Sequence, residues 1–260
     1  MTTAGAILIG NELLSAKIAD RNLFVLAKKL GELGIEFCRA SMIRDDIDEI
    51  AEEVASFARR FDWVFTSGGV GPTHDDVTVD AVAKAFGQEV IEHPDLAGMI
   101  RGFYGERLRP GHLRMARVPE RARMIRTEAI PWPALLCENV WLLPGVPEIF
   151  ELKMNLLTTV IEARAVLFSL AALCSLDEGT LKPALDEAVE AFPDVSIGSY
   201  PQYHPTSRAK SGDGQAAPTD AAPVVRTKLT FDGPDRARCE GARRHFVERL
   251  PAESVLELEG

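Results

Sequence analysis

Short apolar runs alternate with longer stretches of helical period along the first 157 residues. Ala4 to Ile9 is apolar and stops at Gly10-Asn11-Glu12, which predicts a buried strand. Leu23, Leu26, Ala27, Leu30 and Leu33 then share one helical face, and Gly34 suits its end. Ile35 to Ile43 is a second predicted strand. Asp46-Ile47-Asp48-Glu49 has capping-box spacing, with Ile47, Ile50, Val54 and Phe57 on the face that follows. Trp63 to Phe65 is a third strand, followed by a glycine-rich segment. Thr78 is placed to cap a helix from Val79 to Phe86, which Gly87 ends. From Asp95 to about Arg126 the chain reads as helical and then irregular. Val140 to Leu143 is a further buried run, stopped by Pro144-Gly145-Val146-Pro147, and Glu148 to Leu157 reads as a helix. Strands alternating with helices predict an α/β domain: a mostly parallel sheet covered on both faces.

After about residue 160 the pattern restarts. Ala165 to Cys174 is apolar, Asp177 to Phe192 has helical period with Leu181, Leu185 and Val189 in register, and Val195 to Ile197 is a short strand. Pro201 to Pro223 is rich in Pro, Ser, Gly and Ala and reads as a flexible loop. Val225, Thr227, Leu229 and Phe231 alternate with polar residues as a half-buried strand does, and Asp235 to Leu250 is a last helix. The expected organisation is a domain over 1–160 and a smaller two-layer α+β domain over 161–260, with a flexible loop at 201–223.

Composition narrows the partners. The 260 residues carry 29 basic and 39 acidic side chains, a net charge of -10, which argues against nucleic acid as a partner, because phosphate neutralisation needs a basic face. No apolar run of about 18 residues is present, so no membrane-spanning segment is expected. Met1 to Gly10 has no basic segment followed by a long apolar stretch, so no signal peptide is expected. Cys38, Cys137, Cys174 and Cys239 form no CxxC pair and sit among apolar residues, which reads as reduced core thiols of a cytoplasmic protein. The five histidines show no metal-ligand spacing.

The candidate chemistry lies in Thr66-Ser67-Gly68-Gly69-Val70-Gly71-Pro72-Thr73-His74-Asp75-Asp76. No lysine follows the glycines as a Walker A loop requires, and His74 stands where a dinucleotide fingerprint needs its third glycine. The physics of such loops still applies: glycines let backbone amides approach an anion, and the following helix adds its positive dipole end. Thr66, Ser67 and Thr73 add hydroxyls. Asp75 and Asp76 would repel a bare phosphate. Two readings fit the pair: a divalent cation such as Mg²⁺ between carboxylate and phosphate, or a cap on the following helix for one of them. Glu12, Asp45 and Asp76 each follow a predicted strand on the sheet edge where open α/β sheets bind ligands, so all three are candidate metal ligands. Asp46 reads as a helix cap, and Asp45 alternatively as a solvated turn residue. His74 reads as a solvated loop histidine more readily than as a phosphate contact. Arg101, Arg107, Arg109 and Arg114 read as a wet helical face more readily than as an anion clamp.

Gly10-Asn11-Glu12-Leu13-Leu14, Arg44-Asp45-Asp46, the glycine segment through Val77-Thr78, and Leu143-Pro144-Gly145-Val146-Pro147 occur in one order over residues 4–157. Together they resemble the molybdopterin-binding domain of molybdopterin adenylyltransferases and of the N-terminal part of competence/damage-inducible protein A, a domain also similar to the N-terminal half of eukaryotic FAD synthases. Ile197 to Pro201 and Lys228 to Gly233 resemble the small α/β domain of this group. The resemblance implies a three-layer α/β/α fold whose glycine loop holds a pterin phosphate or a nucleotide pyrophosphate through Thr66, Ser67, Gly68, Gly69, Gly71, Pro72, Thr73, Asp75, Thr78, Pro144, Gly145 and Pro147. It implies catalytic roles for Asp76 and Asp45, a divalent metal, molybdopterin as a ligand, and a homo-oligomer. Relatives often carry a Gly-Thr-Ala-Pro-Gly segment where this chain has Ala129 to Leu135 with Trp132, which points to a changed substrate or a weakened site. The chain ends at residue 260, so neither amidohydrolase nor FAD-synthesising activity is expected. Three functions follow: a metal-dependent pyrophosphatase acting on ADP-ribose- or FAD-like dinucleotides, molybdopterin adenylyl transfer, or a binding module without chemistry.

Overall fold

Ala4, Ala6, Ile7, Leu8 and Ile9 are each at most 2% exposed, along strand β1 (Thr3–Ile9). A strand buried on both faces belongs inside a parallel sheet with helices above and below. The computed structural model describes residues 2–162, 168–202 and 224–260. It divides into two units, Met1–Arg164 and Ala165–Gly260.

In the first unit β1 lies between β2 (Glu36–Ile43) and β3 (Trp63–Ser67), both parallel to it. Four helices are threaded among these strands and the next: α1 (Asn11–Leu14), α2 (Asn22–Glu32), α3 (Ile47–Arg60) and α4 (Thr78–Ala85). A short hairpin, β4 (Val90–Glu92) with β5 (Arg117–Pro119), brackets α5 (Pro94–Tyr104). The sheet is completed by β6 (Arg123–Ile125), β7 (Ala134–Cys137) and β8 (Val140–Leu143), in the order β2-β1-β3-β8-β7-β6. The first four strands are parallel, and β7 is antiparallel to both its neighbours.

Alternate residues of β1 face two different cores. Ala4, Ala6 and Leu8 pack with Leu26 and Leu30 of α2 and with Phe150 and Met154 of α6 (Pro147–Met154). Ile7 and Ile9 pack with Ile50, Val54 and Phe57 of α3 and with Ala81 and Val82 of α4. Three layers result, as expected. Asp46 caps α3 by accepting from the amides of Asp48 and Glu49, and those bonds hold its carboxyl below the usual range. Ile47 departs from the expected apolar face: it is 38% exposed, because the buried stripe runs through Ile50, Ala51, Val54 and Phe57. Strand β7 was not expected, since its apolar run is four residues long and follows two prolines.

The second unit is a four-stranded antiparallel sheet, β10 (Ser196–Pro201), β11 (Thr227–Gly233), β9 (Phe168–Cys174) and β12 (Val255–Glu259) in that order. Helices α7 (Glu178–Ala191) and α8 (Arg236–Val247) pack on it through Leu181, Ala184, Ala188, Ala242 and Phe246. Thr227, Leu229 and Phe231 point inward, as the alternation predicted. Val189 does not share the buried face of α7 and is 51% exposed. Strand β12 had no counterpart among the expected elements; it alternates weakly and pairs only at the edge. The loop expected at 201–223 lies, from residue 203 onward, outside the described residues. Cys137, Cys174 and Cys239 are buried thiols, and burial raises their pKa, for Cys174 to about 11. Cys38 is exposed on β2, not in the core. No helix among the described residues is long and apolar enough to cross a membrane.

Candidate functional site

Register brings the loops together. Leu8 lies beside Ser67, Ser67 beside Leu143, and Ile9 beside Ile43. The chain segments that begin at Gly10, Arg44, Gly68 and Pro144 therefore leave the sheet at one edge. Gly68 donates its amide to the Leu143 carbonyl, and Gly10 donates to Ile43. At Gly68, with φ of 106°, a Cβ would lie 2.2 Å from the Ile9 carbonyl oxygen. At Gly69, with φ of 66°, it would lie 2.2 Å from Thr78 Oγ1. The glycines are thus required twice over, by a backbone region that favours glycine and by close approach of neighbouring chain.

Asp76 organises the rest of the loop. Its Oδ1 accepts from Gly71 N at 2.7 Å and its Oδ2 from Thr73 N at 2.7 Å, and the Thr73 hydroxyl also contacts Oδ2. That hydroxyl lies 2.6 Å from Asp75 Oδ1, a bond that lowers the Asp75 pKa. Neither aspartate caps α4, whose N-cap residue is Val77. Thr78 is not a cap either: it is fully buried and donates back to the Gly68 carbonyl at 2.8 Å. Thr66 is also fully buried, with its hydroxyl on the Trp141 carbonyl, so it presents no donor to a ligand. His74 and Pro72 are exposed in the loop. The amides of Gly69 and Val70 have no hydrogen-bond partner among the described residues.

The other carboxylates do not join Asp76 in a metal cluster. Among the described residues no group of three or more His, Cys, Asp or Glu side chains is placed to hold a metal ion. Asp45 Oδ2 accepts from Asn11 N at 2.8 Å, and the Glu12 carboxylate folds over Gly10. Both are drawn to the turn after β1, which is why the expected Glu12, Asp45 and Asp76 set does not assemble.

A cavity of about 30 Å³ opens beside the loop, lined by Gly69, Gly71, Asp76, Arg114, Arg117 and Leu135 among others. Arg117 forms a bidentate pair with Asp80, at 2.6 and 3.2 Å. Leu135 is the one residue of the altered 129–135 stretch that lines it. Trp132 packs elsewhere, edge-on to Phe103 in the cluster around α5. Lys153 fixes this stretch: 3% exposed, it donates to the carbonyls of Trp132 and Pro133.

Burial pushes the Lys153 pKa down to about 8, against about 10.4 in the unfolded chain. Below pH 8 the lysine is charged in both states and the penalty for burying that charge is fully present. Between the two values the folded chain binds fewer protons, so this residue makes stability rise with pH. Urea unfolding at pH 7.5 and pH 10 is expected to show the difference between wild type and Lys153→Met moving in favour of wild type by about 2 kcal/mol. A difference that does not change with pH would remove Lys153 from this account.

One residue was missed from the sequence. Asn22, 3% exposed at the start of α2, donates from Nδ2 to Ser67 Oγ and to the Gly145 carbonyl, both at 2.9 Å. It ties the end of β3 to the turn after β8. Its only signal was a polar residue one position before the apolar helical face. Asn22→Ala is expected to lower stability by about 2 kcal/mol, seen as a drop of about 4–8 °C in melting temperature. In the same turn Pro147 opens α6, where its fixed φ suits the first helical position, and Pro144 is half-buried.

This geometry has relatives. A family profile described as "Probable molybdopterin binding domain" matches residues 5–163. The chain belongs to that family. A second profile, "FAD synthase, middle domain", matches residues 167–259 of this molybdopterin-binding-domain protein. A protein of Aeropyrum pernix is 35% identical over 211 residues, 76% of this chain and 79% of its own length. A "Probable FAD synthase" of Caenorhabditis elegans is 32% identical over 227 residues, 77% of this chain but 44% of its own. The crystal structure of the CinA protein of Thermoplasma acidophilum superposes with a TM-score of 0.57 at 33% identity, over 62% of this chain and 99% of that one. Domains of these two families fit a small-molecule partner.

Proposed function

We propose that the first unit binds a phosphorylated small molecule, a pterin phosphate or a nucleotide pyrophosphate, and hydrolyses the pyrophosphate bond of a dinucleotide such as ADP-ribose or FAD. One observation carries this reading: Asp76 lines one cavity with Gly69 and Val70, whose amides have no hydrogen-bond partner among the described residues, at the carboxyl edge of a parallel sheet. Amides held in a fixed loop stabilise charge on non-bridging phosphoryl oxygens without reorganising. Asp80 is paired with Arg117, so Asp76 is the carboxylate on the cavity wall without an ion-pair partner among the described residues. It orients an attacking water. Water adds its oxygen to one phosphorus, the bond to the bridging oxygen breaks, and the two products are AMP and a second phosphate ester.

A divalent cation fits the donor chemistry in a limited way. Mg²⁺ takes one or two carboxylates with substrate and water oxygens, and Asp76 with the nearby Asp75 offers hard oxygen donors of that kind. When bound, it would supply charge neutralisation to the pyrophosphate. The FAD synthase names among the relatives support a flavin or adenine dinucleotide as the ligand class. The molybdopterin-binding description supports a second reading, adenylyl transfer to a pterin phosphate at the same site.

The test is AMP release from ADP-ribose, FAD and NADH by the purified chain with Mg²⁺, Mn²⁺ or Co²⁺ and with EDTA. Metal-dependent release supports the hydrolase. Folded protein that turns over none of the three overturns it, and AMP transfer that requires molybdopterin establishes the second reading.

A further inference from the structure

We infer that Arg114 is the phosphoryl-binding side chain of this cavity. The inference rests on the phosphate-binding reading above and adds to it the cation that the glycine loop lacks.

Two arginines line the cavity, and they differ in state. Arg117 is neutralised by Asp80, with both terminal nitrogens on its carboxylate. Arg114 forms no ion pair among the described residues, and its Nε is buried with no hydrogen-bond partner. A guanidinium on the cavity wall with no carboxylate partner points to a missing anion. Two neighbouring arginines, neither of which lines the cavity, are otherwise engaged. Arg101 pairs with Glu92, and Arg109 donates to the Leu108 carbonyl.

Charge balance gives the same answer. Without Arg114 the cavity carries the Asp76 carboxylate and the neutral Arg117–Asp80 pair, and it would repel a phosphate. Arg114 brings that local sum to zero and leaves the Gly69 and Val70 amides to attract an anion. Apolar wall atoms of Val79, Met115 and Leu135 strengthen every polar contact made there. A guanidinium matches two phosphoryl oxygens at once, which a lysine cannot do.

The experiment is calorimetric titration of the full chain with AMP, pyrophosphate and adenosine, with and without Mg²⁺, for wild type, Arg114→Gln and Arg114→Lys. Circular dichroism and melting curves accompany each variant. Arg114→Gln is expected to weaken AMP and pyrophosphate binding about 10- to 100-fold and Arg114→Lys by less, with adenosine binding unchanged. Wild-type binding of AMP that Arg114→Gln retains in full overturns the role of Arg114 and leaves the phosphate site standing. An equal loss for adenosine and AMP overturns it too, as a general disturbance of the fold. Wild type that binds neither AMP nor pyrophosphate overturns the phosphate site itself, and this inference with it. If Arg114→Gln does not fold, a folded Arg114→Lys protein with undiminished AMP binding is the overturning result.

Discussion

Gly68→Ala is expected to unfold the first unit or to leave it insoluble. A Cβ at this position would sit 2.2 Å from the Ile9 carbonyl oxygen, far inside any real contact. The obstacle is backbone, and it cannot rotate away. Ile9 ends the strand between β2 and β3 and is 2% exposed, so moving it disturbs the core beneath α3 and α4. The φ of 106° adds a second penalty for any side chain. Together these exceed about 4 kcal/mol, a large part of the roughly 5–15 kcal/mol that holds a domain folded. Gly145→Ala is the control. Its Cβ would lie 3.4 Å from Gly68 Cα, an ordinary contact, and a change within about 1 kcal/mol is expected. Soluble yield and thermal melting of both variants decide the matter. A Gly68→Ala protein that melts with the wild type would show that the loop does not nest against β1 as described.

Asp76→Asn is expected to lower AMP release from a dinucleotide at least 100-fold while the protein stays folded. The carboxylate does two things. It accepts the Gly71 and Thr73 amides, and it brings negative charge to the cavity wall. Asparagine keeps one acceptor oxygen, so one of those two amides would face an NH₂ group. The residue is half-buried, so the stability loss should stay near 1–2 kcal/mol, a few degrees of melting temperature. The charge is lost outright, and with it the group to which the proposed hydrolysis assigns the orienting of water. Asp75→Asn separates the roles. Asp75 is exposed and touches the loop through the Thr73 hydroxyl, so its variant should stay within about tenfold of wild type. Equal losses in the two variants would assign the effect to the loop's shape, and full activity in Asp76→Asn would remove Asp76 from the chemistry.

The elements were legible where a local rule decides them. The apolar run of β1, the Asp46 cap, the stop at Gly87 and the alternation along β11 each follow from short-range sterics or period. The placement of the glycines at a strand end was legible for the same reason. Elements failed where no local signal exists: β7 and β12 are short, and their pairing depends on partners distant in sequence.

At the site, the sequence by itself determined that a side-chain-poor loop with paired carboxylates follows a buried strand, because clustered glycines end a strand and admit the positive φ that Gly68 and Gly69 adopt. Tertiary structure alone decided what those groups face. Thr66 and Thr78 look like ligand donors in the sequence, yet both are turned inward because β3 and α4 are packed on all sides. Asp45 and Glu12 are drawn to the turn after β1, while Asp76 holds the loop's own amides. Asn22 and Arg114 carry no motif. Each became visible only when 45 residues of separation between Asn22 and Ser67 closed to a hydrogen bond, and when the segment after α5 came to line the cavity beside Gly71. A side chain's chemistry is written in the sequence, but its partner is fixed by contacts that span the fold.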